Sequence, residues 1–273
     1  MSFEYTNPLL DKYREDKDEA RREYQVKPPK FQKPRELNLQ PLLRDWFAIT
    51  VDFQLQAPWF SKDDIPFHVF DNPLHRDRVF RAPFMSASSW KGLLRWACRM
   101  QMGLLAHLES NSNEKPNKNK PSSWKDPAEI LHLFGNERED LHARCGALAF
   151  RPTWFDKIDF EVINPHDRAT KAGKHPILYE VVPSGATGML TLLYAPSPGQ
   201  AAREGVSALD SALLLLDAVQ DLIAKYGFSA KRTSGWGIAA IKKASLCTRD
   251  NDSQEGSIEN LRAAAKSLLG DRQ

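Results

Sequence analysis

WFAITVDFQLQAPWF, residues 46–60, places an apolar side chain at every second position, from Phe47 through Ile49, Val51 and Phe53 to Leu55. That is the period of a β-strand with one face in a core. The next ordered stretch has a different period. In SASSWKGLLRWACRMQMGLLAHLES, residues 86–110, Trp90, Leu93, Leu94, Ala97, Leu104, Leu105 and Leu108 return to one side of a helix, and Ser86 or Ser88 can cap its start. A half-buried strand therefore leads through a long loop, residues 61–84, into an amphipathic helix.

Further along, residues 126–135 read as a short helix with proline in its first turn and Gly135 at its end. Residues 146–155, 158–165, 177–183 and 187–196 read as strands, 205–226 as a strongly apolar helix and 238–246 as a last strand. Residues 255–269 then suit a terminal helix. The order predicts an α+β fold with a ferredoxin-like (RRM-like) β-α-β-β-α-β core. That domain spans residues 46–248 with insertions near 61–84, 109–125 and 164–176, and residues 249–273 form a C-terminal helix and tail. No internal repeat with a period of about 20–50 residues is present.

Residues 1–45 have another composition. DKYREDKDEARRE, residues 11–23, crowds charges of both signs around Tyr13 and Ala20 alone, too little to bury a face. KPPKFQKPRELNLQP, residues 27–41, is punctuated by proline. Together they read as a charged, Pro-rich N-terminal arm, either solvated or laid on a neighbouring subunit or nucleic acid.

The 273 residues leave room for one elaborated domain, and 41% apolar residues suffice for a core. A net charge of only +3 excludes a uniformly basic coat, so any nucleic-acid footprint must be local. The longest apolar run, Ala212 to Leu216, is far below the roughly 18 residues of a membrane span. No secretory pattern opens the sequence, and Cys98, Cys145 and Cys247 form neither a CxxC pair nor a disulfide framework. Both fit a reducing cytoplasm, with no membrane and no zinc expected. Cys98 and Cys145 sit in apolar segments and read as core residues.

Three segments have the chemistry of a ligand site. Residues 71–99 carry Arg76, Arg78, Arg81, Lys91, Arg95 and Arg99 against Asp71 and Asp77. Lys91, Arg95 and Arg99 recur at helical spacing below Ser86, Ser88 and Ser89, whose helix start favours an anion. Such a face can grip a phosphodiester backbone without reading bases. In the second segment, Gly227 to Gly237, Lys231, Arg232, Thr233, Ser234, Gly235, Trp236 and Gly237 combine charge, hydroxyls, a stacking ring and backbone freedom. It lacks the spacing of a phosphate-binding Walker loop. The third, residues 164–175, sets His166, Arg168, Lys171, Lys174 and His175 in one loop between strands. Its histidine spacing matches no familiar zinc pattern. Asp63, Asp64, Asp71 and Asp77 form an acidic group in the 61–84 loop.

In sequence order these segments resemble one family. Asp71-Asn-Pro-Leu-His-Arg-Asp77 followed by Pro83-Phe-Met-Ser-Ala-Ser-Ser-Trp-Lys-Gly-Leu-Leu-Arg95 is similar to the D-x-P…P-x-I-P-G-S-S-L-K-G-x-x-R signature of the RAMP superfamily of CRISPR-associated proteins. More narrowly, it resembles the backbone subunits of type III effector complexes. Leu133-Phe-Gly135, Glu180-Val-Val-Pro-Ser-Gly185 and Ser234-Gly-Trp-Gly237 resemble the family's L-F-G, its E-x-V-P-x-G and its C-terminal glycine-rich loop.

The resemblance implies an RRM-like core that binds a CRISPR guide RNA, recognises complementary target RNA in antiviral defence, and assembles with other RAMP-type and effector-complex subunits. Ser88, Ser89, Lys91 and the glycine loop would then contact the guide. The 164–176 loop would be a hairpin thumb pushed between bases, with 111–125 as its rival. Cleaving members need an aspartate at the position of Asp71, and the resemblance implies endoribonuclease chemistry there, assisted by Mg²⁺, with Asp64 as the fallback. Ala87 stands in the glycine position of the signature and Trp90 in that of leucine. These departures point to a specialised member present once per complex, and keep open a non-catalytic structural subunit that caps or completes the guide RNA filament. A guide-processing ribonuclease of the same superfamily would instead need a histidine base, with His68, His75, His166 and His175 available.

Overall fold

The computed structural model describes residues 8–24, 45–64, 71–111, 124–136, 144–167, 169–170, 173, 175–248 and 254–270. In chain order the elements are α1 (Pro8–Glu15), α2 (Lys17–Tyr24), β1 (Phe47–Leu55), β2 (Phe84–Met85), α3 (Ala87–Gln101), α4 (Leu104–Asn111) and α5 (Ala128–Phe134). Next come β3 (Leu148–Phe150), β4 (Thr153–Trp154), β5 (Asp159–Ile163), β6 (Ile177–Val181), β7 (Thr187–Tyr194), α6 (Gln200–Glu204) and α7 (Ala208–Asp221). A turn of π-helix, Leu222–Tyr226, extends α7, and a 3-10 turn, Arg232–Ser234, precedes β8 (Ala239–Thr248), β9 (Gln254–Gly256) and α8 (Ile258–Gly270).

The main sheet has five strands in the order β3-β7-β1-β8-β9, with every neighbouring pair antiparallel. β1 lies at its centre, with Ile49 opposite Leu192 on one side and Leu246 on the other. The alternation read from the sequence sets its faces: Phe47, Ile49, Val51, Phe53 and Leu55 are each at most 2% exposed. Burying one such side chain stabilises the fold by roughly 1.5–3 kcal/mol, more than a typical surface ion pair. Trp90, Leu94 and Ala97 of α3, Leu215 and Val219 of α7, and Leu261 and Ala265 of α8 join them in one core. Two further antiparallel pairs, β2-β4 and β5-β6, stand beside this layer. No described helix is long and apolar enough to cross a membrane.

The helix expected over residues 86–110 is two helices. Gly103 adopts φ +96°, which few side-chain-bearing residues tolerate, and the chain turns there. The turn takes Leu105 and Leu108 away from the core, leaving them 50% and 52% exposed. Ser86 is the cap of α3, its Oγ accepting from the Ser89 N–H at 3.1 Å. The strand expected over 146–155 breaks at Arg151-Pro152, since proline has no N–H for the ladder. Cys98 is buried, and burial pushes its thiol pKa up. Cys145, expected in the core, is exposed in a bridge to Gly135.

Residues 11–23 do bury a face, against the expectation from their composition. Ala20 is fully buried against Phe160 and Leu178 of the β5-β6 pair. Tyr13 meets Phe160 edge-on at 5.3 Å. Arg21 bonds Glu161 at 2.7 Å and lies 3.8 Å from Asp159. Two small contacts and one cation matched to a carboxylate pair suffice to seat the helices. Residues 25–44, with the Pro-rich stretch, lie outside the described residues.

Ala20→Asp places a charge in this contact. It should expose residues 8–24 to trypsin while leaving the thermal midpoint of the main domain within a few degrees of wild type. A fall in the main transition instead would show that the helices support the whole core.

Candidate nucleic-acid interface

The interface rests on a buried aromatic group that joins three separate stretches of chain. Phe53 of β1 lies 6.2 Å from Trp90 of α3 and 5.1 Å from Phe228, and Trp90 lies 5.0 Å from Phe228. Trp59 adds its ring at 4.8 Å from Phe155. Each indole N–H is satisfied: Trp90 Nε1 donates to Thr153 Oγ1 at 2.9 Å and Trp59 Nε1 to the Phe228 carbonyl at 3.0 Å.

Above this floor the glycine loop is fastened to the chain leaving β1. The Phe60 N–H donates to Ser229 Oγ at 3.0 Å and the Ala230 N–H to the Phe60 carbonyl at 3.0 Å. Gly237 donates to the Pro58 carbonyl at 2.8 Å. Only glycine suits position 237: φ is +77°, and a Cβ there would lie 2.5 Å from the Ser229 nitrogen.

A groove of about 400 Å³ opens between the start of α3 and this loop. Ser61, Ser88, Ser89 and Ser229 line it with hydroxyls, and Arg232 supplies a cation. Gly92 forms part of its wall, and a Cβ at Gly92 would meet nothing within 4 Å. The first N–H groups of a helix have no partner within it, so the end of α3 beside the groove favours an anion. Hydroxyls, helix N–H groups and a guanidinium around an open trough suit a sugar-phosphate chain.

Two of the segments singled out in the sequence thus face each other. Ser88 and Ser89 are exposed at the start of α3, and Lys91 is half-buried one turn on. Lys231 places its ammonium 4.5 Å from the centre of the Tyr179 ring, and the Arg232 guanidinium lies 4.8 Å from that of Trp96. Thr233 and Ser234 are exposed in the 3-10 turn, and Gly235 closes it with an N–H to the Arg232 carbonyl at 2.9 Å. Trp236 is half-buried, meeting Phe60 and Tyr179 edge-on at 6.4 and 5.9 Å. His166 is exposed and bridges to Gly173, whereas Arg168, Lys171 and Lys174 lie outside the described residues. So does the rival thumb segment from residue 112 to 123.

Two expected ligand cations are held by the protein's own carboxylates. Arg95 donates to Asp126 Oδ2 from Nη2 at 2.6 Å and from Nε at 3.2 Å, and Arg99 donates to both oxygens of the same carboxylate at 2.6 Å. Burial of Asp126 would raise its pKa, but the bonds from Arg99, Arg95 and Trp124 prevail and hold it at about 2. Arg76 is bonded to Glu180, whose side chain is fully buried. Glu180 also accepts the Leu74 N–H at 3.0 Å, and its own N–H donates to the Asn72 carbonyl at 3.1 Å. Glu180 therefore anchors the loop that begins at Asp71. Sequence reading quoted it within a motif without giving it this task.

Asp71 is exposed at the start of that loop, and Asp64 is exposed beside Asp63, which accepts its N–H. Among the described residues no group of three or more His, Cys, Asp or Glu side chains could hold a metal ion. A single carboxylate fits Mg²⁺ only where a ligand's phosphate oxygens and water complete the shell.

A family model described as the RAMP superfamily matches residues 52–240. No curated protein matches the sequence significantly. Among solved structures, a chain from "Cryo-EM structure of the Type III-B Cmr-beta bound to cognate target RNA" aligns with a TM-score of 0.46 at 17% identity, over 75% of this chain and 61% of that one. This chain thus spans about three fifths of that neighbour's length.

Asp126→Asn leaves two partly buried guanidiniums without their anion and should cost about 2–4 kcal/mol at pH 7 in urea unfolding. The folded pKa lies below the usual 3.8, so the carboxylate's contribution is present above that value and fades as pH falls toward 2. The gap between wild type and variant should therefore narrow below pH 4. A gap independent of pH would refute the clamp.

Proposed function

This chain belongs to the RAMP superfamily, and on that premise we propose that it is a guide-RNA-binding subunit of a type III CRISPR effector complex. The serine-lined groove between α3 and the glycine loop carries the reading. Its donors suit a phosphodiester backbone and offer little to a base edge, as a subunit that must hold guides of any sequence requires. The strand order β3-β7-β1-β8, with α3 and α7 as the two connecting helices, supports reading residues 46–248 as one ferredoxin-like domain. In this reading the other partners are complementary target RNA and neighbouring RAMP-type and effector subunits, in the cytoplasm, and the role is antiviral defence.

The same reading makes Asp71 the residue that cleaves target RNA. An unpaired nucleotide can bring its 2′-oxygen in line with the adjacent phosphorus. The new bond is 2′-O–P, the bond broken is P–O5′, and the products are a 2′,3′-cyclic phosphate and a 5′-hydroxyl. Asp71 takes the 2′-hydroxyl proton, and water returns one to the leaving oxygen. Glu180, through Arg76 and Leu74, holds the loop from which Asp71 projects. Mg²⁺ shared by Asp71 and the phosphate would supply charge neutralisation when bound.

A second reading, a non-catalytic subunit that caps or completes the guide filament, draws on one observation. Among the described residues Asp71 has no second or third metal-ligating side chain beside it.

Two measurements separate these readings. Gly92→Glu should fold, because the space is open, yet lower RNA affinity at least tenfold at moderate salt by filling the groove with an anion. Unchanged affinity would remove the groove from the RNA path. In the reconstituted complex with end-labelled target RNA and Mg²⁺, Asp71→Ala should abolish a cut without affecting assembly. An unaltered cut pattern would leave the structural reading.

A further inference from the structure

Four large apolar side chains among the described residues are strongly exposed, and two are adjacent: Val79 at 82% and Phe80 at 48%. They form the tip of a short turn that is built to be stiff. The Asp77 N–H donates to the Ala82 carbonyl at 2.9 Å, the Arg81 N–H donates to the Asp77 carbonyl at 2.9 Å, and Arg76 bridges to Pro83. Asp77 Oδ1 accepts the N–H groups of both Val79 and Phe80 at 2.8 Å, so the one acid of the turn is turned inward. Arg81 is the only described residue other than glycine with positive φ, +55°. Holding a side-chain-bearing residue there costs about 1 kcal/mol or more, an outlay the turn's own bonds sustain.

Arg78 and Arg81 flank the tip, both exposed and, among the described residues, in no ion pair. The turn thus presents an apolar point between two uncompensated cations. A protein pocket closing on it would have to desolvate both guanidiniums, whereas a nucleic-acid strand offers an apolar base step with a phosphate on each side. We propose that the Arg78–Arg81 turn is an RNA wedge: Val79 and Phe80 enter between two neighbouring bases, and Arg78 and Arg81 hold the flanking phosphates. The inference rests on the RNA-binding reading above but concerns residues outside the groove. The turn lies between the Asp71 loop, anchored by Glu180, and the cap of α3, so its wedge acts at one fixed point along a strand lying in the groove.

The test uses the full chain and a single-stranded RNA of mixed sequence, alone and annealed to its complement, with 2-aminopurine placed at successive positions. Wild type should raise the fluorescence at one position, the sign of an unstacked base. Val79→Ser with Phe80→Ser should bind RNA within tenfold of wild type and lose that signal. Val79→Asp alone, at the more exposed site, should lose it with little risk to folding. Arg78→Glu with Arg81→Glu should weaken binding and flatten its salt dependence by about two phosphates' worth.

Wild type that binds RNA with no position-specific signal overturns the wedge and leaves the groove standing. Wild type that fails to bind RNA overturns both. If Val79→Asp keeps the RNA signal but loses association with a second copy or another subunit, the tip is a protein contact and the wedge is wrong.

Discussion

The buried contact among Phe53, Trp90 and Phe228 is the constraint on which the arrangement depends. Each ring arrives from a different part of the chain: the central strand, the first core helix and the glycine loop. Their packing fixes how far apart the two walls of the groove stand. Interiors are close-packed, so a smaller ring at any of the three sites would leave a void that the walls could close only by shifting. Binding geometry and core stability are therefore one property here. The Trp90 indole N–H on Thr153 also tells why a tryptophan can replace the leucine of the family signature: its polar atom has somewhere to go.

A second layer of control is ionic and lies behind the loops. Glu180 and Asp126 are both acceptors set among arginines, and each ties an irregular segment to regular structure. Glu180 binds the 71–76 stretch to β6 and Asp126 binds the entry of α5 to α3. Removing one member of such a set strands the others in a poorly hydrated place, so these pairs determine loop position more than total stability. The His132 ring does the same job for α5, spanning from Glu204 at 2.7 Å to the Tyr194 hydroxyl at 2.8 Å. Burial pushes that phenol's pKa up to about 12.

Where the sequence was legible, a period carried the information. The two-residue alternation of β1 and the cap at Ser86 could be read because they depend on neighbours along the chain. Period says which side chains share a face but not what stands opposite. Lys91, Arg95 and Arg99 share a stripe as expected, yet Asp126, about thirty residues on, takes two of the three. Leu105 and Leu108 continue the apolar pattern, yet Gly103 rotates them outward. The union of the serine-rich helix start with the glycine loop depends on strand order, which no local pattern encodes. Tyr13 and Ala20 looked too sparse to dock because their partners, Phe160 and Leu178, lie far away in sequence.

The internal use of Arg76, Arg95 and Arg99 has a consequence for how tightly this chain can hold a polyanion by itself. Half of the basic residues in 71–99 already have a carboxylate for company, so few condensed counterions would be released on binding. Retention then depends on oriented hydroxyls and peptide N–H groups, contacts that ionic strength scarcely touches. A grip of that kind is shallow in energy and strict in geometry. It suits a component that gains its hold from contiguous neighbours on the same strand, where each added site raises the effective concentration of the next.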